Sequence, residues 1–139
     1  MKCFTILSMV ILILLLSCSK PSHPAEEHAA VEAATQWLAL VDSAQYEQSW
    51  LESSEVFQGA ISKLDWDRQL HGVRNPLGNL ISREVQSTQY STSLPGAPDG
   101  EYVVITFRAS FKNKKSAIET VTPMKDEFGV WRVSGYYIR

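Results

Sequence analysis

Sulfur and imidazole are scarce in this chain: 139 residues carry two cysteines and three histidines. The histidines, His23, His28 and His71, do not fall at helical ligand spacing, which argues against a His-based zinc site. The sequence contains no G-x-S-x-G elbow, no H-E-x-x-H, no C-x-x-C and no glycine-rich phosphate loop. Serine–histidine–acid catalysis assembles in space, so spacing alone does not exclude it. No basic stripe exists to neutralise phosphates, and the formal net charge is −2. These gaps argue against nucleic acid as a partner and leave no expected metal, cofactor or catalytic residue. The one dense positive spot, Lys112-Asn113-Lys114-Lys115, reads as a solvated hairpin tip.

A long apolar run occurs once, at the start. Lys2 precedes Phe4 to Leu16, interrupted only by Thr5 and Ser8. That length suits the core of a signal peptide, whereas a membrane-spanning helix needs roughly 20 residues. Leu15-Leu16-Ser17-Cys18 resembles the bacterial lipobox, which implies cleavage before Cys18 and a diacylglycerol on its thiol. Ser19 in place of an aspartate resembles lipoproteins sent on to the outer membrane. Several acyl chains hold far better than one, at about 0.8 kcal/mol per buried methylene. The expected organisation is a signal peptide over 1–17, a tether over 18–24 and a single α+β domain over 25–139. The tether reading rests on Pro21 and Pro24 and on the polar residues between them. Cleavage removes one lysine and no acid, leaving 12 basic against 15 acidic residues and a mature charge of −3. With Cys3 removed and Cys18 acylated, the domain has no thiol for an internal disulfide and depends on its core alone.

From Ala25 to about Ser43, Ala30, Ala33, Ala34, Trp37, Leu38 and Val41 recur at spacings of three and four and stack on one helical face. Glu26 and Glu27 fall where acids complement the helix dipole. A second short helix is expected over Tyr46–Ser53, extended irregularly by Val56–Ile61. A third starts at Ser62, with Asp65 answering as in a capping box, and Trp66, Leu70 and Val73 form its buried stripe. Asn75-Pro76 and Gly78 should stop it. The period then changes to two. Strands are expected from Ile81 to about Ser93 and over 101–111, 115–124 and 130–138, with a turn-rich connector from Leu94 to Gly100 and tight turns near Asn113 and Gly129. Gly135 is a good site for a bulge. Helices followed by consecutive strands imply an α+β domain, with the helices on one face of a curved four-stranded antiparallel meander.

Ordered along the chain stand Ala34-x-x-Trp37-Leu38-x-Leu40-x-Asp42, Tyr46-x-x-Ser49-Trp50, Arg74-x-Pro76-Leu77-Gly78 and Ser82-Arg83. Leu94-Pro95-Gly96-Ala97-Pro98-Asp99-Gly100-Glu101-Tyr102, Glu119-Thr120 and Trp131-Arg132-Val133-x-Gly135-Tyr136-Tyr137 follow. The set resembles the DUF4019 family of bacterial exported proteins over about residues 30–138. That resemblance implies a cone similar to NTF2-like or cystatin-like folds, and no assigned activity.

Arg83 and Glu119 fall in strands with one covered face; if both point inward they must pair, because a lone buried charge costs several kcal/mol. They form either the polar floor of a pocket or an ion pair that fixes strand register. Arg74, in the last turn of its helix, is explained by the dipole alone. Asp42 and Tyr46 close the first helix; their structural role is capping and turn formation, and as an acid–tyrosine pair they could move a proton beside a carbonyl. Trp37, Trp50, Trp66, Trp131, Tyr136 and Tyr137 read as core rather than as a ligand cleft. The leading expectation is a non-enzymatic lipoprotein, held to the periplasmic side of the outer membrane through Cys18 and binding an envelope protein or small ligand. The rivals are a small-molecule isomerase or lyase using Asp42 or Glu119 as base, and a purely structural accessory subunit.

Overall fold

The computed structural model describes residues 22–139. The segment expected to be a signal peptide, Cys18 and most of the expected tether lie outside the described residues. Four helices precede four strands: α1 (Pro24–Asp42), α2 (Tyr46–Leu51), α3 (Glu55–Ala60), α4 (Lys63–Leu77), β1 (Leu80–Ser91), β2 (Tyr102–Phe111), β3 (Lys114–Lys125) and β4 (Trp131–Ile138). The strands pair in sequence order, all antiparallel, in a curved sheet that does not close. The protein is α+β, with its helices on one face of the meander.

Pro24 opens α1 at a position where its missing N–H costs nothing. Ala30, Ala34, Trp37, Leu38 and Val41 form the buried face of α1, and the two alanines let the helix lie close to the sheet. The segment expected to prolong α2 irregularly is a separate helix: the Ser54 hydroxyl caps α3 by accepting from the Phe57 N–H at 3.2 Å. Ser62 caps α4 by accepting from the Asp65 N–H at 3.1 Å, and its own hydroxyl donates to the Asp65 carboxylate at 2.7 Å.

Two expectations about α4 are corrected. Its inward stripe is Trp66, Leu70 and Arg74, while Val73 is 41% exposed. A spacing of four throughout, rather than four then three, keeps the stripe on one face. Pro76 does not stop the helix but lies inside its last turn; Gly78, at φ 71°, ends it. The β2–β3 hairpin then closes the helix end. Asn113 donates its backbone N–H to the Leu77 carbonyl at 2.9 Å and its side-chain amide to the Pro76 carbonyl at 3.1 Å. Two otherwise orphaned helix carbonyls are thereby satisfied, and the lysine-rich tip sits at the negative end of the dipole.

β2 buries Val103, Ile105, Phe107, Ala109 and Phe111 on its helix side, and β3 buries Ala117, Glu119 and Val121. β1 departs from simple alternation, because irregularities at Leu80/Ser82 and Val85/Ser87 shift its register. Ile81 is therefore exposed while Arg83 stays inward. In β4 the register slips beside Gly135, with Thr122 opposite Gly135 and Pro123 opposite Val133. Ser134 is the extra residue, its hydroxyl bonding to the Thr122 carbonyl at 2.7 Å. Pro123, which has no N–H to give the ladder, falls at this irregularity.

Candidate functional site

Inside the sheet's covered face, four charged side chains from four elements meet. Asp42 ends α1, Arg74 lies in the last turn of α4, Arg83 is on β1 and Glu119 is on β3. The Arg83 Nε donates to Glu119 Oε2 at 2.6 Å, and its terminal nitrogens reach Asp42 Oδ2 at 2.6 Å and Oδ1 at 2.9 Å. Arg74 donates to Asp42 Oδ1 at 2.6 Å and lies 3.5 Å from Glu119 Oε1. The hydroxyl of Tyr136, on β4, donates to Glu119 Oε1 at 2.7 Å. The cluster contains two cations and two carboxylates and is balanced in formal charge. It is largely withdrawn from water, with Asp42 at its open edge: Glu119 is 0% exposed, Arg74 6%, Arg83 12% and Asp42 21%.

Burial alone would raise the Asp42 pKa, but hydrogen bonds from Arg83 and then Arg74, with their charges, outweigh it and hold the carboxyl below its ordinary 3.8. Burial likewise opposes the charge on Arg83, and the hydrogen bonds it donates to Asp42 and Glu119 more than reverse that, raising its pKa. Tyr136 is pushed well above the usual tyrosine value, first by burial and then by the negative charge of Glu119. The guanidinium of Arg74 also stands 4.8 Å from the centre of the Phe111 ring, a cation–π contact in a dry setting.

Of the residues singled out in the sequence, Asp42, Arg74, Arg83 and Glu119 are brought together. Tyr46 is not part of this set; it is buried and packs edge-on against His71, ring centroids 4.9 Å apart. The tyrosine that touches a carboxylate of the cluster, Glu119, is Tyr136, which the sequence marked only as an aromatic near the C-terminus. The helix dipole, offered as sufficient reason for Arg74, is not the whole reason, because its side chain points into the cluster.

Beside the charged cluster the space between helices and sheet is filled by rings. Trp37, Trp66, Phe57 and Tyr136 pack together, with Phe57 and Trp66 at 4.9 Å and Trp37 and Tyr136 at 5.5 Å. The indole N–H groups have buried partners: Trp37 donates to the Ser49 carbonyl and the Ser53 hydroxyl, and Trp66 donates to the Ser49 hydroxyl. Ser49 and Ser53, fully or nearly buried, are small polar residues whose importance the sequence did not reveal. Trp50 and Trp131 are partly buried against the same core, and Tyr137 is 61% exposed on the opposite sheet face. A cleft of about 370 Å³ opens between α1, α2 and β4, lined by Gln36, Gln48, Glu52, Trp131 and Arg132 among others.

Among the described residues, no group of three or more His, Cys, Asp and Glu side chains is placed to hold a metal ion. No described helix is long and apolar enough to cross a membrane. A family model described as a protein of unknown function, DUF4019, matches residues 33–136. No curated protein matches the chain. The chain belongs to the DUF4019 family.

Proposed function

We propose that this DUF4019 domain is a lipid-anchored module of the bacterial cell envelope, tethered through Cys18 at the periplasmic face of the outer membrane, and that it acts by binding or accessory contact rather than by catalysis. The anchor rests on the apolar run and on Leu15-Leu16-Ser17-Cys18. The observation that carries the non-catalytic part is the engagement of both carboxylates of the cluster, Glu119 fully buried and Asp42 partly open. Asp42 and Glu119 are the acids an isomerase or lyase would use as base, yet arginine donors engage all four of their oxygens. A general base needs a free lone pair aimed at substrate and a pKa near the working pH. Asp42 has moved the other way. Such a cluster fixes where α1, α4 and the sheet meet, and leaves the outer surfaces and the cleft beside Trp131 for recognition.

The test has two arms. Full-length protein expressed in a bacterial host with labelled palmitate should incorporate the label and fractionate with membranes, and Cys18→Ser should lose both. A wild-type chain with no palmitate would sink the anchor. In the second arm, carboxyl carbon NMR should place the Asp42 titration below its ordinary 3.8. A titration near neutrality would instead return the protein to the enzyme class.

A further inference from the structure

The β3–β4 turn displays a phenylalanine to solvent by construction. Phe128 is 82% exposed, the most open of the large apolar side chains among the described residues. The turn that carries it is rigidly built. Asp126 Oδ1 accepts from the Phe128 N–H at 2.9 Å and from the Val130 N–H at 2.8 Å. Asp126 Oδ2 accepts from Arg132 at 3.1 Å, and the Asp126 N–H donates to the Val130 carbonyl at 2.8 Å. Gly129, at φ 79°, supplies the left-handed residue that closes the turn. Leu51, 52% exposed, lines the same recess as Phe128. A preorganised aromatic has little conformational freedom left to lose on docking.

The register shows which way this turn faces. Ser91 pairs with Tyr102, Tyr102 with Met124, and Lys125 with Trp131, so the connector 92–101 and the turn 126–130 leave the same end of the sheet. The start of α1 lies at that end too: His23 stacks on Tyr90 with ring centroids 3.9 Å apart, and Glu27 accepts from Thr88 at 2.6 Å. Cys18 stands four positions before Ser22, and four residue steps reach at most about 14 Å. A lipid on Cys18 therefore holds the Phe128 end of the domain against the bilayer, while Ile81 and the 112–115 tip lie at the far end.

The geometry points to the Asp126–Gly129 turn as a second, shallow membrane contact, in which Phe128 and Leu51 enter the headgroup boundary of a zwitterionic bilayer. This rests on the lipid anchor proposed above. The charges choose the lipid. Near the turn, Lys125 is matched by Glu101 and Arg132 by Asp126 and Glu52, while Asp99, Glu55 and Glu127 add exposed negative charge. An acidic rim is repelled by anionic headgroups and tolerated by phosphatidylethanolamine or phosphatidylcholine.

The test uses full-length, palmitate-labelled protein reconstituted in vesicles of phosphatidylethanolamine and phosphatidylcholine. An environment-sensitive dye is attached at Glu127→Cys or, for reference, at Ile81→Cys. Iodide should quench the dye several-fold less at 127 than at 81. Adding Phe128→Ser should bring quenching at 127 up to the level at 81, and phosphatidylglycerol in the vesicles should weaken the shielding. Equal quenching at the two positions in palmitate-labelled protein would overturn the contact and leave the anchor standing. Absence of palmitate would overturn both. Shielding seen in native membranes but not in lipid-only vesicles would assign the turn to a protein partner and overturn the bilayer as its occupant.

Discussion

Arg83 and Glu119 lie on strands that do not touch, yet their side chains meet at 2.6 Å. β2 runs between them, so the pair bridges two strand spacings, about 10 Å. The crossing is possible because the residue opposite Arg83 on β2 is Ala109, which is itself opposite Ala117 on β3. Two methyl groups leave a trough through which the guanidinium reaches the far strand.

Glu119→Ala should destabilise the domain by about 3–5 kcal/mol, because it leaves two buried guanidinium groups facing one carboxylate. Arg83→Met combined with Glu119→Leu removes one charge of each sign and keeps the Asp42–Arg74 pair. The double variant should lie within about 2 kcal/mol of the parent. Urea unfolding of the three proteins checks both expectations; a double variant weaker than Glu119→Ala would contradict the reading of the cluster as a balanced unit.

Ala109→Val should cost about 1–3 kcal/mol by overfilling the trough. It should also reduce the further cost of Glu119→Ala, since the pair across β2 is already displaced. Additive losses in denaturant melts would show that Ala109 does not gate the crossing.

Ser49→Ala should cost about 1–3 kcal/mol, because the Trp66 indole N–H loses its 2.9 Å acceptor in the core. Ser43→Ala, at an exposed helix end, should stay within about 0.5 kcal/mol of the parent. Thermal melts compare the two.

The pH profile should fall at both ends. The folded Asp42 carboxyl titrates below its ordinary 3.8, so its stabilisation is complete above that value and is lost as pH drops from 3.8 through the lower folded value. Tyr136 is raised above 10.0, so its contribution is complete below pH 10 and is lost as pH climbs from there through the higher folded value. Denaturant midpoints measured from pH 2 to pH 12 check the signs. Tyr136→Phe should flatten the alkaline limb and leave the acid limb in place.

The order of elements was legible because the hydrophobic period changes from three-to-four to two after Gly78, and the caps at Ser62 and Gly78 are chemical signatures rather than propensities. The cost of a lone buried charge tied Arg83 to Glu119 only on condition that both face inward, and the alternation of the strands alone did not decide that. What stayed hidden depends on the third dimension. Arg74 and Val73 are neighbours in sequence and on adjoining faces of α4; only the position of Asp42 and Glu119 across the core selects the arginine to face inward. Ser49 and Ser53 resemble surface residues until the indoles of Trp37 and Trp66 are seen to need acceptors. The irregularities in β1 leave no compositional trace, so alternation alone does not show that Ile81 is exposed while Arg83 faces inward.

The hydrogen bonds of the polar knot, from Asp42 through Arg74 and Arg83 to Glu119 and Tyr136, join residues 17 to 62 positions apart. Loop closure over such spans is slow, and no local segment can form the knot in advance. It therefore belongs to the downhill side of the folding barrier. Substitutions there should accelerate unfolding while leaving refolding rates nearly untouched, so that the knot acts on the lifetime of the native state.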